Sequence, residues 1–235
     1  MKPKIELCAL QRGRTVLDVG CARGDFLGLM RRHGWVPAGI EPSAHLASQA
    51  AAAGLPVWPM PLATAPVPAG VFDLVTLWDV LEHLPDPVSG LQQIHRLLSP
   101  SGRLVLNTPV EDGWDARLFG RRWSGWDAPR HTVVFGRATL ERALNRAGFR
   151  IVKTHRVFET YLITALSLGL MARESLPGPV ARAVWSGLHF RGTRLAMEPV
   201  WRILDRWLGG SSLAVVAEPA TLGARPTTPG SQPDS

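Results

Sequence analysis

Near the start of the chain, the pattern of apolar and polar residues predicts a strand, a glycine turn and a helix in succession. Thr15 to Val19 is a short, mostly apolar run with β-branched residues, which is typical of a strand buried on both faces. Gly20 and Gly24 follow at once, and Asp25 to Met30 then has helical spacing. Because glycine lacks a Cβ, we expect a ligand to approach this turn closely and to meet free backbone N–H groups at the start of the helix.

Strand-like and helix-like patterns continue to alternate, which predicts an α/β domain with an open sheet. Further strands are predicted at Trp35 to Ile40, Val71 to Trp78, Arg103 to Asn107, Arg150 to Val157 and Ser212 to Ala217. Two segments break the alternation, and we predict both to be mainly loop: Leu55 to Gly70, which holds five prolines, and Glu111 to Arg130. In such a sheet the glycine turn lies at the carboxyl end of the first strand, where nucleotide-like ligands bind.

The sequence pattern of residues 158–210 predicts a helical insertion before the last strand. One of its helices is predicted at Pro199 to Leu208, with an apolar face made of Val200, Trp201, Leu204, Trp207 and Leu208. Either the insertion is a lid packed on the domain or, since Trp and Arg flank this apolar face, it lies on a membrane surface. The predicted divisions are therefore a core at 1–157, the insertion at 158–210, the last strand at 211–218 and a disordered tail at 219–235, which is rich in Pro, Thr, Ser and Gly.

An acidic residue ends the second predicted strand. Glu41 comes 21 residues after Gly20, where a carboxylate accepts hydrogen bonds from ribose hydroxyls. The glycine motif is G-x-A-x-G, with Asp18 two residues before it, rather than the G-x-G-x-x-G of dinucleotide sites, and it lacks the Lys-Ser/Thr pair of a phosphate loop. The spacing favours a nucleoside-type ligand over a tight turn that binds nothing.

Four stretches resemble motifs of class I S-adenosylmethionine (SAM)-dependent methyltransferases. They are VLDVGCARGDF, GIEPS (Gly39 to Ser43), FDLVTLWDVLEHLPDP (Phe72 to Pro87) and LLSPSGRLVLNTP (Leu97 to Pro109). The D-x-x-E-H pattern after the fourth strand and a later Pro-Arg-His are similar to those of ubiquinone-biosynthesis-type O-methyltransferases. This resemblance implies a Rossmann-like, doubly wound sheet of seven strands, and SAM as the cofactor.

The resemblance also implies which residues contact the cofactor. The glycine turn would hold the methionine end of SAM and Glu41 its ribose. The predicted cofactor-binding residues are Asp18, Gly20, Cys21, Ala22, Gly24, Phe26, Glu41, Pro42, Trp78 and Asp79. Two features depart from the family pattern: Ala22 replaces a usual Gly, and Leu55 to Gly70 lacks the acidic residue that often binds adenine. Only about a dozen residues precede the first strand, so we expect either that another segment covers the cofactor or that the start is truncated.

Ionisable side chains cluster after the fourth predicted strand. Asp79, Glu82 and His83 share one face if the chain turns helically there, and His131 is the natural fourth member. Neighbouring carboxylates stay ionised readily only beside a positive charge, and oxygen with imidazole ligands suits Mg²⁺, Mn²⁺ or Zn²⁺. The resemblance to metal-dependent O-methyltransferases implies that His131 completes such a site. In a metal-free site His131 or His83 would be a general base, because imidazole has a pKa of about 6.5.

Aromatic and basic residues in the second loop are candidates for acceptor binding. Trp123 and Trp126 are predicted to form an apolar wall, and Arg130 to meet an anionic group. We expect a methyltransferase acting on a hydroxyl of a small-molecule, lipid-linked or sugar-containing metabolite. A SAM- or nucleoside-binding protein without catalysis and a nucleic-acid methyltransferase are the alternatives.

The composition of the chain favours some classes of binding partner and some cellular compartments over others. The net charge of +7 comes mostly from arginines that are scattered, so nucleic acid is the less favoured partner. Two cysteines, Cys8 and Cys21, fit a reducing compartment and lack metal-site spacing. The longest apolar run, Tyr161 to Met171, is too short to cross a bilayer. We therefore expect a cytoplasmic protein, with peripheral membrane contact as an open possibility.

Overall fold

Strands and helices alternate through most of this computed structural model, which describes residues 2–8, 14–156 and 160–220. The strands are β1 (Thr15–Val19), β2 (Val36–Ile40), β3 (Val57–Trp58), β4 (Phe72–Trp78), β5 (Leu98–Pro109), β6 (Phe149–Arg156) and β7 (Ser212–Pro219). The helices are α1 (Lys2–Cys8), α2 (Asp25–Arg32), α3 (Ala44–Ala52), α4 (Pro87–Leu97), α5 (Trp114–Phe119), α6 (Arg137–Arg146), α7 (Thr160–Ser175), α8 (Gly178–His189) and α9 (Arg191–Leu204). Residues 158 and 159 of the predicted insertion and 221–235 of the predicted tail lie outside the described residues.

The strands form one sheet in the order β3-β2-β1-β4-β5-β7-β6. The pairs from β3 to β5 are parallel, whereas β7 is antiparallel to both β5 and β6, with Arg156 opposite Leu213. This arrangement confirms the predicted Rossmann-like, seven-stranded α/β sheet with helices before the last strand. It also brings the carboxyl ends of β1, β2, β4 and β5 to one edge, where ligands bind in open α/β sheets.

The sheet is buried on both faces because its strands alternate two sets of apolar side chains. Leu17, Val75 and Leu104 face one way and pack in the same cluster as Ile94 of α4 and Leu140 of α6. On the opposite face, Val16, Leu74 and Val105 pack with Phe26 and Met30 of α2. Burial of each large apolar side chain contributes about 1.5–3 kcal/mol, so the core fixes the strand ends that carry the site.

Side-chain caps begin two helices at the same edge of the sheet. The Ser43 hydroxyl accepts a hydrogen bond from the N–H of Leu46 at 3.4 Å and starts α3 just after Glu41. Asp86 accepts one from the N–H of Ser89 at 3.0 Å and starts α4, whose first residue is Pro87. Both helices therefore begin close after the residues predicted to carry function.

The segment after β5 is more regular than its sequence predicts. Residues 111–130 contain α5 and two short 3₁₀ turns, Gly120–Arg122 and Ser124–Trp126. The second turn docks on α7, since Ser124 donates from its hydroxyl to the carbonyl of Ile163 at 2.8 Å. Packing against the insertion thus orders a stretch that has little periodicity of its own.

The predicted helix Pro199 to Leu208 comprises the end of α9 and a π-helical turn, Asp205–Gly209. Its apolar residues divide between two faces, which corrects the single face predicted from the sequence. Trp201 and Leu204 are half-buried and lie beside α5 and α7, while Val200, Trp207 and Leu208 are exposed. Asp205 is buried and accepts a hydrogen bond from the indole N–H of Trp114 at 3.0 Å. No helix in the described part of the chain is long and apolar enough to cross a membrane.

Candidate active site

The glycine turn between β1 and α2 has the left-handed backbone that its sequence suggests. Gly20 and Gly24 have φ of 72° and 84°, and Ala22 has φ of 48°. A Cβ on Gly20 would lie 2.5 Å from Cγ2 of Val80, and one on Gly24 would lie 2.5 Å from Cδ1 of Leu55. Glycine is therefore required at both ends of the turn, and contact with Val80 links the turn to the segment after β4.

Four backbone N–H groups within this turn are paired inside the protein. The expectation of free N–H groups at the start of α2 stays a prediction. The N–H groups of Gly20 and Cys21 donate to the carbonyl of Ile40 at 2.8 and 3.1 Å. The N–H of Ala22 donates to Glu41 at 2.9 Å, and that of Gly24 to the carbonyl of Cys21 at 2.9 Å. These four residues therefore offer a ligand close approach of the backbone, whereas unused donors are expected only at the start of α2.

Glu41 ties the glycine turn to the start of α3. One carboxylate oxygen accepts the Ala22 N–H, and the other accepts the Ser43 N–H at 2.8 Å. The side chain is buried, with 7% exposure, at the carboxyl end of β2. Each carboxylate oxygen has a second lone pair, so Glu41 retains acceptors for the hydroxyls of a nucleoside sugar. The predicted ribose-binding role stays a prediction, and the position suits it.

Asp18 is the most deeply buried carboxylate of the turn. It is 2% exposed and accepts a hydrogen bond from the hydroxyl of Thr76 at 2.6 Å. Burial raises its pKa from 3.8 to about 7, although the hydrogen bond from Thr76 acts in the opposite direction. Near neutral pH the side chain is therefore partly protonated.

Because the pKa of Asp18 is higher in the folded chain, folding favours its protonated form. The contribution of Asp18 to the free energy of unfolding is complete below about pH 4 and is lost as pH rises through about 7. The full contribution amounts to about 4 kcal/mol. We expect Asp18→Asn to lose less stability than the wild type between about pH 4 and about pH 8. Urea unfolding at both pH values measures this, with the exposed Asp25→Asn as control. Equal losses in the wild type and Asp18→Asn would contradict the assignment.

The remaining predicted cofactor residues fall into two groups. Ala22, Pro42 and Asp79 are exposed at the carboxyl edge of the sheet, where a ligand could reach them. Phe26 and Trp78 instead contact each other edge to face, at 5.4 Å between ring centroids, in the core cluster under β1 and β4. Cys21 is buried against α2 and α3, and burial raises the pKa of its thiol to about 12. Cofactor contacts for all six of these residues stay predictions.

The structure brings together three of the four residues proposed for chemistry. Ligating atoms of Glu82, His83 and His131 lie within 4.8 Å of one another, and the two imidazole rings meet edge to face at 4.7 Å. Asp79, proposed as a fourth ligand, lies outside this group, and one of its oxygens accepts a hydrogen bond from Asn107 at 2.6 Å. The cluster therefore consists of one carboxylate and two histidines.

Backbone carbonyls fix the orientation of both imidazoles. Nδ1 of His83 lies 2.8 Å from the carbonyl oxygen of Arg130, and Nδ1 of His131 lies 2.7 Å from that of Gly125. Since a carbonyl only accepts, Nδ1 carries the proton and the neutral ring keeps its lone pair on Nε2. Burial and the neighbouring His83 lower the pKa of His131, so its ring is neutral at pH 7. Such a ring can accept a proton or bind a metal ion.

Glu82 is the acidic partner of these histidines. Its carboxylate is 1% exposed and accepts a hydrogen bond from the Thr108 hydroxyl at 2.9 Å. Burial, with a contribution from the charge of Asp79, raises its pKa from 4.5 to about 7. A carboxylate with a raised pKa gains from a nearby cation, and with two imidazole lone pairs it forms a donor set that fits a divalent metal.

The three predicted acceptor-binding residues differ in how far they reach solvent. Trp123 is 1% exposed and donates from its indole N–H to Asp115 at 3.0 Å, so it is a core residue and not the acceptor wall predicted. Trp126 is 38% exposed, and Arg130 is exposed and paired with Asp127 at 2.7 Å. Both remain accessible to an acceptor.

Two polar residues near the carboxyl end of β5 were not among the site residues predicted from the sequence. Asn107 and Thr108 hold Asp79 and Glu82 by the hydrogen bonds already described. Polar side chains at the carboxyl end of a central strand were the available signal, since that edge carries the sites of open α/β sheets.

The chain is similar in sequence to proteins of known family. A model of a methyltransferase domain family matches residues 1–154. The tRNA U34 carboxymethyltransferase of Azotobacter vinelandii is 32% identical over 180 residues, which cover 71% of this chain and 54% of that protein. The ubiquinone biosynthesis O-methyltransferase of Pseudomonas paraeruginosa is 36% identical over 103 residues, which cover 41% of this chain and 44% of that protein. The chain thus spans about half the length of the curated relatives it matches.

The fold is also similar to that of solved structures. A SAM-dependent methyltransferase from Mesorhizobium loti superposes with a TM-score of 0.61 and 21% identity, covering 91% of this chain and 95% of that one. This likeness concerns the fold of the sheet and its helices.

Proposed function

The chain belongs to the family of class I SAM-dependent methyltransferases, and from this we propose that it transfers the methyl group of SAM to a hydroxyl oxygen. The acceptor we propose is a small-molecule, lipid-linked or sugar-containing metabolite. The observation that carries the proposal is the pair of oriented histidines, His83 and His131, at the same sheet edge as the glycine turn. A hydroxyl acceptor must lose its proton during transfer, and a neutral imidazole suits that task at pH 7.

Different residues at the carboxyl edge of the sheet would bind the cofactor and accept the proton of the acceptor. When bound, SAM supplies an electrophilic methyl group on a sulfonium. The glycine turn allows close approach of the cofactor, and Glu41 accepts hydrogen bonds from its ribose. His131 takes the acceptor proton on Nε2, while the Gly125 carbonyl holds Nδ1 and keeps the ring in place. Orientation of the acceptor oxygen toward the methyl group supplies much of the rate.

Measuring the conversion of SAM to S-adenosylhomocysteine (SAH) in the presence of candidate acceptors tests this proposal. We expect turnover with a phenol, catechol or alcohol in a broad acceptor panel. Tight SAH binding by calorimetry with no turnover on any acceptor would instead support a binding protein without catalysis.

As the alternative to a histidine base, we propose a divalent cation, such as Mg²⁺, at the cluster of Glu82, His83 and His131. Those three side chains would hold the ion, which would lower the pKa of a bound hydroxyl. Metal analysis of the wild type and of Glu82→Gln tests binding independently of activity. Metal in the wild type that is lost in Glu82→Gln supports the site, whereas metal-free protein that stays active in EDTA contradicts it.

Methylation or related alkylation of RNA is a second candidate. It is favoured by the similarity to the tRNA U34 carboxymethyltransferases and by the net charge of +7. Binding to bulk tRNA at two salt concentrations discriminates the two functions. Phosphate contacts give an affinity that falls steeply with salt, and absence of such binding would remove this candidate.

Exposed apolar residues on the outer side of α9 support peripheral membrane contact. We define the α9 stripe as Leu195, Val200 and Ile203 of α9 together with Trp207 and Leu208 of the π-helical turn that follows it, all exposed, with Trp207 at 79%. Arg194 and Arg206 are exposed beside it, so the surface combines apolar and cationic groups as membrane-surface helices do.

We therefore expect co-sedimentation with phosphatidylglycerol vesicles and weaker binding to phosphatidylcholine vesicles. Replacing Leu195, Ile203 and Trp207 by serine should release the protein, because the apolar side chains that insert into the interface are removed. Leu162→Ser, an exposed position on α7, is the matched control. If the wild type stays in the supernatant with both kinds of vesicle, the stripe does not bind membranes.

A further inference from the structure

Two segments that are far apart in the chain carry the two histidines of the cluster. His83 ends the 3₁₀ turn Leu81–His83, which follows β4, whereas His131 lies in the segment between β5 and α6. The centroids of their rings are 4.7 Å apart. Because neither histidine holds the other in place through its own backbone, contacts between the two segments decide where the proposed base stands.

Thr132 makes several of the contacts that join these segments. Its N–H donates to the carbonyl of Glu82 at 2.8 Å. Its hydroxyl lies 3.0 Å from the carbonyl oxygen of Glu82 and 2.8 Å from that of Leu84, so one O–H is shared between two acceptors. The residue after His131 is thus bonded to the carbonyl groups on both sides of His83.

A further hydrogen bond runs in the opposite direction between the same segments. Nδ1 of His83 donates to the carbonyl of Arg130, the residue before His131, at 2.8 Å. The residues on either side of His131 are therefore both bonded to the turn that carries His83. Slippage of one segment along the other would break several of these bonds at once.

The side chain of Thr132 is used for a long-range contact and not for local structure. An exposed threonine ordinarily bonds to water or to the backbone of its near neighbours in sequence. Thr132 is exposed, yet its hydroxyl bonds to carbonyls that lie 50 and 48 residues earlier in the chain. Both of these carbonyls belong to the turn at the proposed site.

We propose that Thr132 is a positioning residue, which fixes the place of His131 beside His83 by tying their two segments together. The inference rests on the proposed function, since it takes His131 as the base that accepts the acceptor proton. Misplacement of a reacting group by about 1 Å can lower a rate by about 10²-fold. The hydroxyl of Thr132 therefore acts on turnover through His131.

Thr132→Val tests the proposal, because valine has nearly the shape of threonine and lacks the hydroxyl. We expect kcat for conversion of SAM to SAH to fall by about 10–10²-fold, while SAH affinity stays at the wild-type value. Thr132→Ser keeps the hydroxyl and should restore most of the activity. Thr154→Val makes the same change at an exposed position of β6 and should leave kcat unchanged. If Thr132→Val does not fold, Thr132→Ala removes the same hydroxyl and takes its place.

NMR of the protein labelled with ¹⁵N-histidine gives a second readout, which needs neither acceptor nor cofactor. At about pH 8, above the ordinary imidazole pKa of about 6.5, we expect the wild-type His83 ring to carry its proton on Nδ1, where the carbonyl of Arg130 accepts it. In Thr132→Val the loosened segment should release His83 to a mixture of its two tautomers. The His83 signal is identified by its absence from His83→Gln.

The two readouts together decide the role of Thr132. In an active enzyme, a Thr132→Val variant that keeps the wild-type kcat or the wild-type His83 tautomer overturns the proposal. An SAH affinity that falls as far as kcat also overturns it, since the variant would then disturb the cofactor site. A wild type that converts no SAM with any acceptor refutes the proposed function, whereas the His83 tautomer still shows whether Thr132 holds the two segments together.

Discussion

Glu41→Ala is expected to weaken SAH binding by about 10²–10³-fold, because charge-assisted hydrogen bonds each contribute about 1.5–3 kcal/mol. The carboxylate joins the N–H groups of Ala22 and Ser43, and those two segments flank the place where we put the nucleoside. Removal would loosen both segments and delete the acceptor proposed for the ribose hydroxyls. Isothermal titration calorimetry with SAH measures the effect.

The control for this variant is Asp25→Ala. Asp25 begins the helix after the same turn, but its side chain is exposed and pairs with Arg23, so its removal should change SAH affinity little. Thermal unfolding of both variants separates a binding defect from misfolding. An SAH affinity in Glu41→Ala equal to that of the wild type would place the nucleoside elsewhere.

His131→Ala should lower kcat by about 10²–10⁴-fold, the usual contribution of a general base. His131 is half-buried, its pKa is lowered by burial, and its Nε2 keeps the lone pair. Its lowered pKa also predicts that wild-type kcat is maintained down to about pH 6.5 and falls only below it, since the base is lost when the ring gains a proton. Steady-state release of SAH with an acceptor found in the panel provides both measurements.

His45→Ala controls for loss of an imidazole, because His45 is exposed on α3 and contacts Gln49 of the same helix. SAH affinity should be unchanged in His131→Ala, which separates proton transfer from cofactor binding. If His83→Ala loses activity while His131→Ala retains it, the base is His83 and our assignment is wrong.

Local sequence patterns predicted the framework of this fold because they act over a few residues. The apolar run before Gly20 specifies a buried strand, and the spacing of Gly20 and Gly24 specifies a left-handed turn, whatever the rest of the chain does. The spacing of Glu82 and His83 likewise placed them together on one short turn.

Other features of the site depend on partners far along the chain, which periodicity does not reveal. Trp123 is buried because Asp115 receives its N–H and α7 covers it, and the sequence alone shows only an aromatic residue in a loop. The N–H groups of Gly20 and Cys21 are paired because β2 lies alongside with the carbonyl of Ile40 in reach. For α9, periodicity identified apolar residues, but its neighbours α5 and α7 decide which of them are buried.

The pairing of Arg156 with Leu213 means that the chain leaves the sheet and returns to it at adjacent points. The residues between Arg156 and Leu213 therefore form one long hairpin connection between β6 and β7. Each doubling of the length of such a connection costs only about 0.6 kcal/mol in loop-closure entropy. Segments of quite different length could be grafted there while β6 and β7 keep their register. The glycine turn and Glu41 follow β1 and β2, which lie beyond β4 and β5 in the sheet, so a change in this connection leaves the strands of the proposed cofactor site in place.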